Sequence, residues 1–162
     1  MTDIIIIRPI LEKDDRFISK IIKTILEEYD AAIEGTAYTD KETDAMSTAY
    51  TNKKSIYFVA ILNDEIVAGC GINPLIDANS SICELQKMYM LPKARGKKIG
   101  KQLLLKCLAF AKKANYKQCY LETFPNMDAA INLYQKNGFK KIDHALGNTC
   151  HYSCDVWMLK DL

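Results

Sequence analysis

The spacing of apolar residues along the chain predicts an alternation of helices and strands. Apolar side chains that recur every three or four residues indicate amphipathic helices, and short apolar runs between turn residues indicate strands. Four helices are predicted, the second from a weaker pattern: Glu12 to Tyr29, Asp40 to Tyr50, Gly96 to Ala114 and Met127 to Lys136. Seven strands are predicted: Ile4 to Arg8, Ser55 to Leu62, Glu65 to Ile72, Ile82 to Met90, Gln118 to Glu122, Phe139 to Asp143 and Tyr152 to Leu159. The order β-α-α-β-β-β-α-β-α-β-β predicts an α/β fold in which helices flank a mixed sheet.

Length and composition fit a single folded domain. The 162 residues are enough to bury one hydrophobic core, so we predict one domain over residues 1–162. Apolar residues make up 49% of the chain and charged residues 26%, which excludes a disordered protein. The net charge is only +2, so we expect no nucleic-acid partner.

We expect a cytoplasmic protein without a membrane partner. The N-terminal apolar run, Ile4 to Ile7, is too short for a secretion signal and is followed by Arg8. The longest apolar runs, such as Tyr57 to Leu62, are far shorter than a membrane-spanning helix. Six cysteines without a secretion signal are typical of reduced thiols rather than of disulfide bridges.

A basic, glycine-containing stretch before the third predicted helix is the strongest functional signal. In the stretch Arg95 to Lys101, Gly96 and Gly100 leave the backbone open to a ligand. A helix start carries unpaired N–H groups and partial positive charge, so cations there are unfavourable unless an anion binds. We therefore interpret the stretch as a pyrophosphate-binding loop, the alternative being a solvated basic loop. A Walker loop or a dinucleotide-binding motif does not fit, because neither the residue after Gly-Lys nor the glycine spacing matches.

Two motifs in the chain resemble signatures of the GNAT superfamily of acyl-CoA-dependent N-acyltransferases. The first is similar to Arg/Gln-x-x-Gly-x-Gly/Ala: Arg95 and Gly100 fill the outer positions, and Lys98 stands where glycine is most common. The second, Leu133-Tyr134-Gln135-Lys136-Asn137-Gly138-Phe139, is similar to Leu-Tyr-x-Lys-x-Gly-Phe. The resemblance covers nearly the whole chain and implies the GNAT fold, a twisted mixed sheet of about seven strands flanked by about four helices.

The resemblance also implies acetyl-CoA as co-substrate, bound without a metal ion. Its pyrophosphate would lie on the basic loop, and its pantetheine arm would pair with the fourth strand, where two strands of this fold separate. A backbone N–H near Met88 is the implied oxyanion donor, and Asn126 is implied to contact the pantetheine arm, although a helix N-cap role would also explain it. The implied cofactor-binding residues are Met88, Tyr89, Met90, Arg95, Gly96, Lys97, Lys98, Ile99, Gly100, Lys101 and Asn126.

Glu84 is the candidate general base. It lies eleven residues before Arg95, where the resemblance implies a catalytic glutamate that acts directly or through water. Strand alternation predicts that Gln86 and Met88 share its face of the sheet, whereas Lys87 lies on the opposite face. A carboxylate within a central strand is costly unless it faces a cleft or has a partner, so the alternative role is a structural ion pair.

Tyr134 is the candidate general acid. The resemblance implies a tyrosine at this position that protonates the departing thiolate. Its helical spacing from Met127 and Ile131 leaves core packing as the alternative.

The acceptor side is marked less clearly. By resemblance the region after the first helix walls the acceptor site, which makes Tyr29 and Tyr38 candidate substrate-binding residues; the alternative is an ordinary helix end and a surface tyrosine. The loop from Gly147 to Cys154 precedes the last strand, and we place it at the border of the acceptor pocket with His151 as a substrate-binding residue.

The sequence Cys150-His151-x-x-Cys154 has the residue types of a metal site. Two more ligands would be needed, and the only other histidine is His144. We therefore predict no metal site.

Together these features predict an N-acetyltransferase that moves an acetyl group from acetyl-CoA to the primary amine of a small or amino-acid-like molecule. Direct transfer with a general base and a general acid is the expected route. The alternatives are a non-catalytic acyl-CoA-binding sensor or interaction module and a protein lysine acetyltransferase. Sheet edges near the C-terminus are compatible with a homodimer.

Overall fold

A seven-stranded mixed sheet runs through the computed structural model, which describes residues 2–162. Its strands are β1 (Ile5–Pro9), β2 (Ile56–Leu62), β3 (Glu65–Pro74), β4 (Ile82–Met90), β5 (Gln118–Thr123), β6 (Lys140–Ile142) and β7 (Val156–Asp161). They lie in the order β1-β2-β3-β4-β5-β7-β6, and every neighbouring pair is antiparallel except β4 and β5. The predicted mixed sheet is confirmed.

Helices cover both faces of this sheet. The α-helices are α1 (Asp15–Glu28), α2 (Met46–Ala49), α3 (Ile99–Lys113) and α4 (Asp128–Lys136), with 3₁₀ turns at Glu12–Asp14, Lys41–Asp44 and Pro92–Ala94. On one face α3 and α4 bury Leu103 and Tyr134; on the other, α1 and α2 bury Ile18, Ile22 and Met46. Both faces are therefore apolar, as burial on both sides requires. None of the described helices is long and apolar enough to cross a membrane.

Contacts between distant residues move several predicted boundaries. The helix predicted from Asp40 to Tyr50 breaks at Ala45, which has φ −142° and ψ 51°. The preceding Asp44 is held by an ion pair of 2.7 Å with Lys23 of α1. The strand predicted from Tyr152 begins only at Val156, because Ser153 Oγ donates to the Glu34 carbonyl at 2.7 Å and keeps this segment in a loop.

A cleft opens in the middle of the sheet, between β4 and β5. The two strands pair only over Ile82–Glu84 and Gln118–Tyr120, although β4 continues to Met90. Beyond Glu84 this edge of β4 has no strand partner, which leaves backbone N–H and C=O groups for a ligand. Because ligands of α/β sheets bind at the carboxyl ends of parallel strands, the cleft is the expected site.

Candidate active site

Three cavities that share lining residues follow this cleft, and together they are called the passage here. The groove, of about 290 Å³, lies between α1, α4 and β4 and reaches Gly96; the throat, of about 50 Å³, contains Tyr134; the mouth, of about 510 Å³, opens at Asp40. The groove and the throat share Met88, Tyr89, Met127 and Ala130, and the throat and the mouth share Glu84, Gln86, Lys87 and His151. The passage thus leads from the basic loop past Glu84 to the surface.

A β-bulge in β4 turns Lys87 toward the passage. Lys87 and Met88 together lie opposite one residue of β3, Cys70. Lys87 has φ +48°, and the Tyr57 hydroxyl donates to its carbonyl at 2.8 Å. After the bulge, Met88 packs on the α3 side of the sheet, whereas Lys87 lines the mouth with Glu84. The predicted alternation is therefore wrong beyond Gln86, because the bulge adds one residue to the strand.

Lys87 is a buried cation held by two carboxylates. Its Nζ lies 2.8 Å from Asp40 Oδ2 and 2.5 Å from Glu42 Oε1, and only 1% of its side chain is exposed. Burial favours the neutral amine, but the two carboxylates outweigh it and raise the pKa of Lys87. The charged ammonium therefore anchors residues 40–42 against β4.

Glu84 lies at the centre of the passage, where it lines both the throat and the mouth. It is 4% exposed, and burial raises its pKa to about 7. Gln86 Nε2 donates to Glu84 Oε2 at 2.6 Å, and Gln86 Oε1 in turn accepts from the Tyr50 hydroxyl at 2.8 Å and from Asn73 Nδ2 at 3.1 Å. Glu84 forms no ion pair within residues 2–162. Its geometry is that of a proton acceptor in a cleft, not of a structural ion pair.

Tyr134 has its ring in the core and its hydroxyl in the throat. The ring packs edge-on against Phe139 at a centroid distance of 5.8 Å. The hydroxyl lies 3.5 Å from the sulfur of Met88, which is a weak acceptor. Burial raises the pKa of Tyr134 well above its usual value, so the hydroxyl keeps its proton at neutral pH. The two interpretations of Tyr134 are therefore compatible.

The basic loop presents open backbone at the start of α3. Gly96 has φ +76°, and a Cβ placed on it would meet no atom within 4 Å. Helix α3 begins at Ile99, not at Gly96 as predicted, because Gly96 and Lys98 both adopt positive φ. No side chain caps α3, so its first N–H groups remain available to an anion.

Two cations of this loop, Arg95 and Lys97, form ion pairs with other segments of the chain. Arg95 forms a bidentate pair with Glu28 at the end of α1, at 2.7 and 2.8 Å, and Lys97 Nζ lies 2.6 Å from Asp3. Lys98 and Lys101 form no ion pair among the described residues. Arg95 therefore links the loop to the end of α1, and Lys98 and Lys101 are the cations of the loop that remain for a bound anion.

The left-handed backbone of Lys98 gives a stability prediction. Lys98 precedes α3 with φ +62° and ψ 10°, a conformation that glycine adopts without a steric penalty. Lys98→Gly is expected to raise the free energy of unfolding by about 0.5–1 kcal/mol, as measured by urea denaturation. Lys97→Gly is the control and should be destabilising, since Lys97 has no positive φ and the substitution also removes its ion pair with Asp3. A less stable Lys98→Gly protein would contradict the assignment of strain to this residue.

The structure relocates three predicted side chains. Asn126 is not an N-cap: α4 begins after Met127 without a side-chain cap, and Asn126 Nδ2 donates to the Tyr29 carbonyl at 3.2 Å. Tyr29 itself lines the groove rather than the mouth. Tyr38 lies outside all three cavities, where its hydroxyl donates to Glu27 at 2.9 Å.

The acceptor side contains residues that sequence reasoning missed. Glu122, two residues beyond the β5 partner of Glu84, lines the throat and accepts hydrogen bonds from Tyr120 at 2.7 Å and Thr149 at 2.6 Å. The sequence signal that could have indicated it is a carboxylate at the end of the predicted strand Gln118 to Glu122. Asp40 and Lys87 carried no local signal, since a bulge and a loop bring them together.

His151 lies where the throat meets the mouth, with its Nε2 at 2.8 Å from Asp40 Oδ2. Nearby, burial raises the pKa of the Cys154 thiol to about 12, so that it is no activated nucleophile. No group of three or more His, Cys, Asp or Glu side chains that could hold a metal ion occurs within residues 2–162.

The sheet thus opens between the parallel strands β4 and β5, with the glycine-containing start of α3 at one end of the opening and the buried Glu84 inside it. The chain belongs to the acetyltransferase (GNAT) family, whose model matches residues 21–139, and it is an N-acetyltransferase. It is 39% identical over 158 residues to the uncharacterized N-acetyltransferase YjgM of Escherichia coli K12, covering 97% of this chain and 95% of the relative.

Solved structures agree on the fold. A GNAT-family acetyltransferase of Staphylococcus aureus Mu50 superimposes with a TM-score of 0.82 at 23% identity, covering 98% of this chain and 99% of the other. The PaiA N-acetyltransferase of Thermoplasma acidophilum, solved in complex with coenzyme A, superimposes with a TM-score of 0.70 at 20% identity, covering 98% and 99%.

Proposed function

We propose that this protein transfers the acetyl group of acetyl-CoA directly to the primary amine of a small cationic molecule. The observation that carries the proposal is the row of three cavities with shared lining residues, which has the basic loop at one end, a carboxylate mouth at the other, and Glu84 between them. Two substrates that enter from opposite ends would meet beside Glu84 and Tyr134.

The groove fits coenzyme A. The open backbone at Gly96 and the uncapped start of α3 suit a pyrophosphate, with Lys98 and Lys101 close by. The unpaired edge of β4 offers backbone groups to the amides of the pantetheine arm. Met88 and Met90 form an apolar wall of the groove between the start of α3 and the unpaired edge of β4. The thioester would then lie in the throat.

The mouth fits a small amine. Its volume of about 510 Å³ suits a small molecule rather than a folded protein. Carboxylates outnumber cations around the mouth and the throat: Asp40, Glu42, Glu84 and Glu122 against Lys41 and Lys87. An excess of acidic groups attracts a cationic amine.

Each chemical requirement has a residue in place. With a pKa of about 7, Glu84 accepts a proton from the amine at neutral pH. The backbone N–H of Met88, next to the bulge, is our candidate for stabilising the oxyanion. The Tyr134 hydroxyl, bonded only weakly to a thioether, donates its proton to the departing thiolate.

A thiol-release assay tests the proposal. Acetyl-CoA is held constant, and a panel of spermidine, amino acid amides, aminosugars and a lysine-containing peptide is supplied as acceptors. Release of coenzyme A with a small amine, together with the acetylated amine in the mass spectrum, is the expected result. Tight binding of acetyl-CoA without release for any amine would replace the proposal by a non-catalytic sensor, and preference for the peptide would replace it by a protein acetyltransferase.

Substitutions of Gly100 test the proposed pyrophosphate site at the start of α3. A Cβ on Gly100 would lie 3.4 Å from Met88 Cε and 3.5 Å from Leu133 Cδ2, which are ordinary contacts, so Gly100→Ala should fold and bind normally. Gly100→Glu places bulk and negative charge at the start of α3, and its Kd for coenzyme A in calorimetry should rise about tenfold or more. Unchanged affinity in a folded Gly100→Glu protein would place the pyrophosphate elsewhere.

A further inference from the structure

A histidine–aspartate pair lies beside Glu84 in the passage. His151 Nε2 is 2.8 Å from Asp40 Oδ2, and the same oxygen is 2.8 Å from Lys87 Nζ. Burial favours the protonated form of Asp40, but the hydrogen bonds from His151 and Lys87 outweigh it and hold the pKa of Asp40 below its usual value. Asp40 is therefore an ionised carboxylate that accepts from both neighbours.

This contact determines which nitrogen of His151 carries the proton. An ionised carboxylate only accepts hydrogen bonds, so His151 Nε2 must donate to Asp40. Nδ1 of the neutral ring is then a free acceptor. It has no hydrogen-bond partner among the described residues, and none of their side-chain N or O atoms is both buried and unpaired. Nδ1 is thus accessible to solvent, on a side chain that lines both the throat and the mouth.

The charged and titratable groups around His151 come from five elements of the structure. Those that line the throat or the mouth with it are Asp40, Lys41 and Glu42 from the segment after α1, Glu84, Lys87 and Tyr89 from β4, Glu122 from β5, Tyr134 from α4, and Cys150 and Cys154 from its own loop. Asp40 is the group that His151 bonds directly, and Glu84 is the nearby carboxyl with a role in the reaction proposed above.

Acetylation of a cationic amine removes two protons from its nitrogen, and a second acceptor beside Glu84 would allow both to be taken up within the passage. An ammonium group must lose one proton before it can attack the thioester, and the attacking nitrogen must lose another afterwards. Glu84 can hold only one of them at a time.

Resting on the proposed function, we propose that His151 is a second catalytic residue, which takes the first proton from the acceptor ammonium, and that Asp40 is the positioning residue that fixes its ring. The nitrogen lone pair then attacks the thioester carbonyl to form the C–N bond. Glu84 takes the second proton, and the C–S bond breaks. The departing thiolate takes the proton of the Tyr134 hydroxyl, and Glu84 then gives its proton to the Tyr134 oxygen. The proton on His151 leaves to solvent, so that one ammonium and one thioester give one amide, one thiol and one proton.

The test compares two probe amines of similar size, ethylamine and 2,2,2-trifluoroethylamine, at pH 7.5. Ethylamine is protonated at this pH and needs the first proton transfer; the fluorinated amine is neutral and does not. His151→Gln keeps an N–H donor for Asp40 but removes the proton acceptor. Its kcat with ethylamine is expected to fall about 10–100-fold, and with trifluoroethylamine less than about threefold. Glu84→Gln should be impaired with both amines, because the second proton must leave in either case.

The chain supplies a matched control and a second variant. His144, whose Nδ1 lies 2.6 Å from Asp143 on the surface, forms the other histidine–aspartate pair, and His144→Gln should leave both rates unchanged. Asp40→Asn keeps an oxygen for Lys87 and His151 but removes the charge that stabilises the imidazolium, so it should show the same dependence on the amine as His151→Gln.

Nitrogen-15 NMR of the imidazole rings provides a readout besides turnover. His151 should carry its proton on Nε2 in the wild type, and its signals are assigned by their loss in His151→Gln. A ring protonated on Nδ1, or an equal loss of rate with both amines, would overturn the role of His151. Failure of the wild type to release thiol with any amine would instead refute the proposed function.

Discussion

Glu84→Gln is expected to turn over acetyl-CoA and an amine about 10²–10⁴-fold more slowly than the wild type, the usual contribution of a general base. Glutamine has nearly the same size and can keep the hydrogen bond with Gln86, but it cannot accept a proton. Because Glu84 lines the throat and the mouth but not the groove, the Kd for acetyl-CoA should stay within about twofold. Steady-state kcat and calorimetric Kd, measured on the same preparation, separate the two effects.

Glu122→Gln is the rival variant for this prediction. Glu122 is the other glutamate of the throat, but its oxygens already accept hydrogen bonds from Tyr120 and Thr149. We therefore expect Glu122→Gln to lose less activity than Glu84→Gln. If Glu84→Gln retained wild-type kcat while Glu122→Gln lost it, the base would be Glu122.

The pH dependence of kcat should report Glu84. Its pKa is raised to about 7, so the carboxylate needed by the reaction is lost as the pH falls below 7, and kcat should fall with it. Above pH 7 this group no longer limits the rate. A falling limb from Tyr134, which would follow from an ordinary phenol, is not expected at moderately alkaline pH because burial raises the pKa of Tyr134.

The raised pKa of Glu84 also affects the stability of the folded protein. Between its unfolded value of 4.5 and its folded value of about 7, Glu84 binds more protons in the folded state. The free energy of unfolding therefore falls as the pH rises through this range, and the loss persists above it. Glu84→Gln has no carboxyl to ionise in the folded state, so it should be more stable than the wild type by about 1–3 kcal/mol at pH 8 and by less at pH 5. Urea denaturation at both pH values measures the difference.

The fold was predictable because its strongest signals are local. The hairpin of β2 and β3, the long helices and the motif at Leu133 to Phe139 each follow from spacing within a short window. The errors lie where distant contacts decide the conformation. The break of the second predicted helix at Ala45 follows an ion pair from Asp44 to Lys23, and residues 151–153 stay in a loop because they bond to residues 34–40. Neither partner is visible from the local pattern.

The candidate site was predictable only in part, for a related reason. Tyr134 lies within a motif and Glu84 lies at a fixed spacing before one, and both do line the throat. The bulge places Lys87 at positive φ. A glycine at this position would have indicated such a conformation, but a lysine does not. Asp40 and Lys87 meet only because the bulge turns one strand residue toward a loop. The arrangement of side chains in the mouth therefore depends on tertiary contacts, which the local sequence does not reveal.

Tyr134→Phe is expected to lower kcat about 10²-fold with acetyl-CoA, because one hydroxyl is removed and the alkyl thiolate must leave without a proton. The ring remains packed against Phe139, so the fold should be nearly unchanged. The loss should shrink with phenyl thioacetate, whose thiolate is a better leaving group, and stay large with S-acetylpantetheine, whose thiol is alkyl like that of coenzyme A. The measurement is the ratio of wild-type to variant rates for each thioester.

Tyr116→Phe is the matched control for this variant. Tyr116 is also a buried tyrosine, but its hydroxyl donates to the Lys54 carbonyl at 3.0 Å, away from the passage. Removing that hydroxyl should lower stability by about 1 kcal/mol and leave the rates with all three thioesters unchanged. Only a proton donor at the leaving group couples the size of the defect to the acidity of the thiol. A Tyr134→Phe loss that is equal for phenyl thioacetate and S-acetylpantetheine would therefore assign Tyr134 to packing alone.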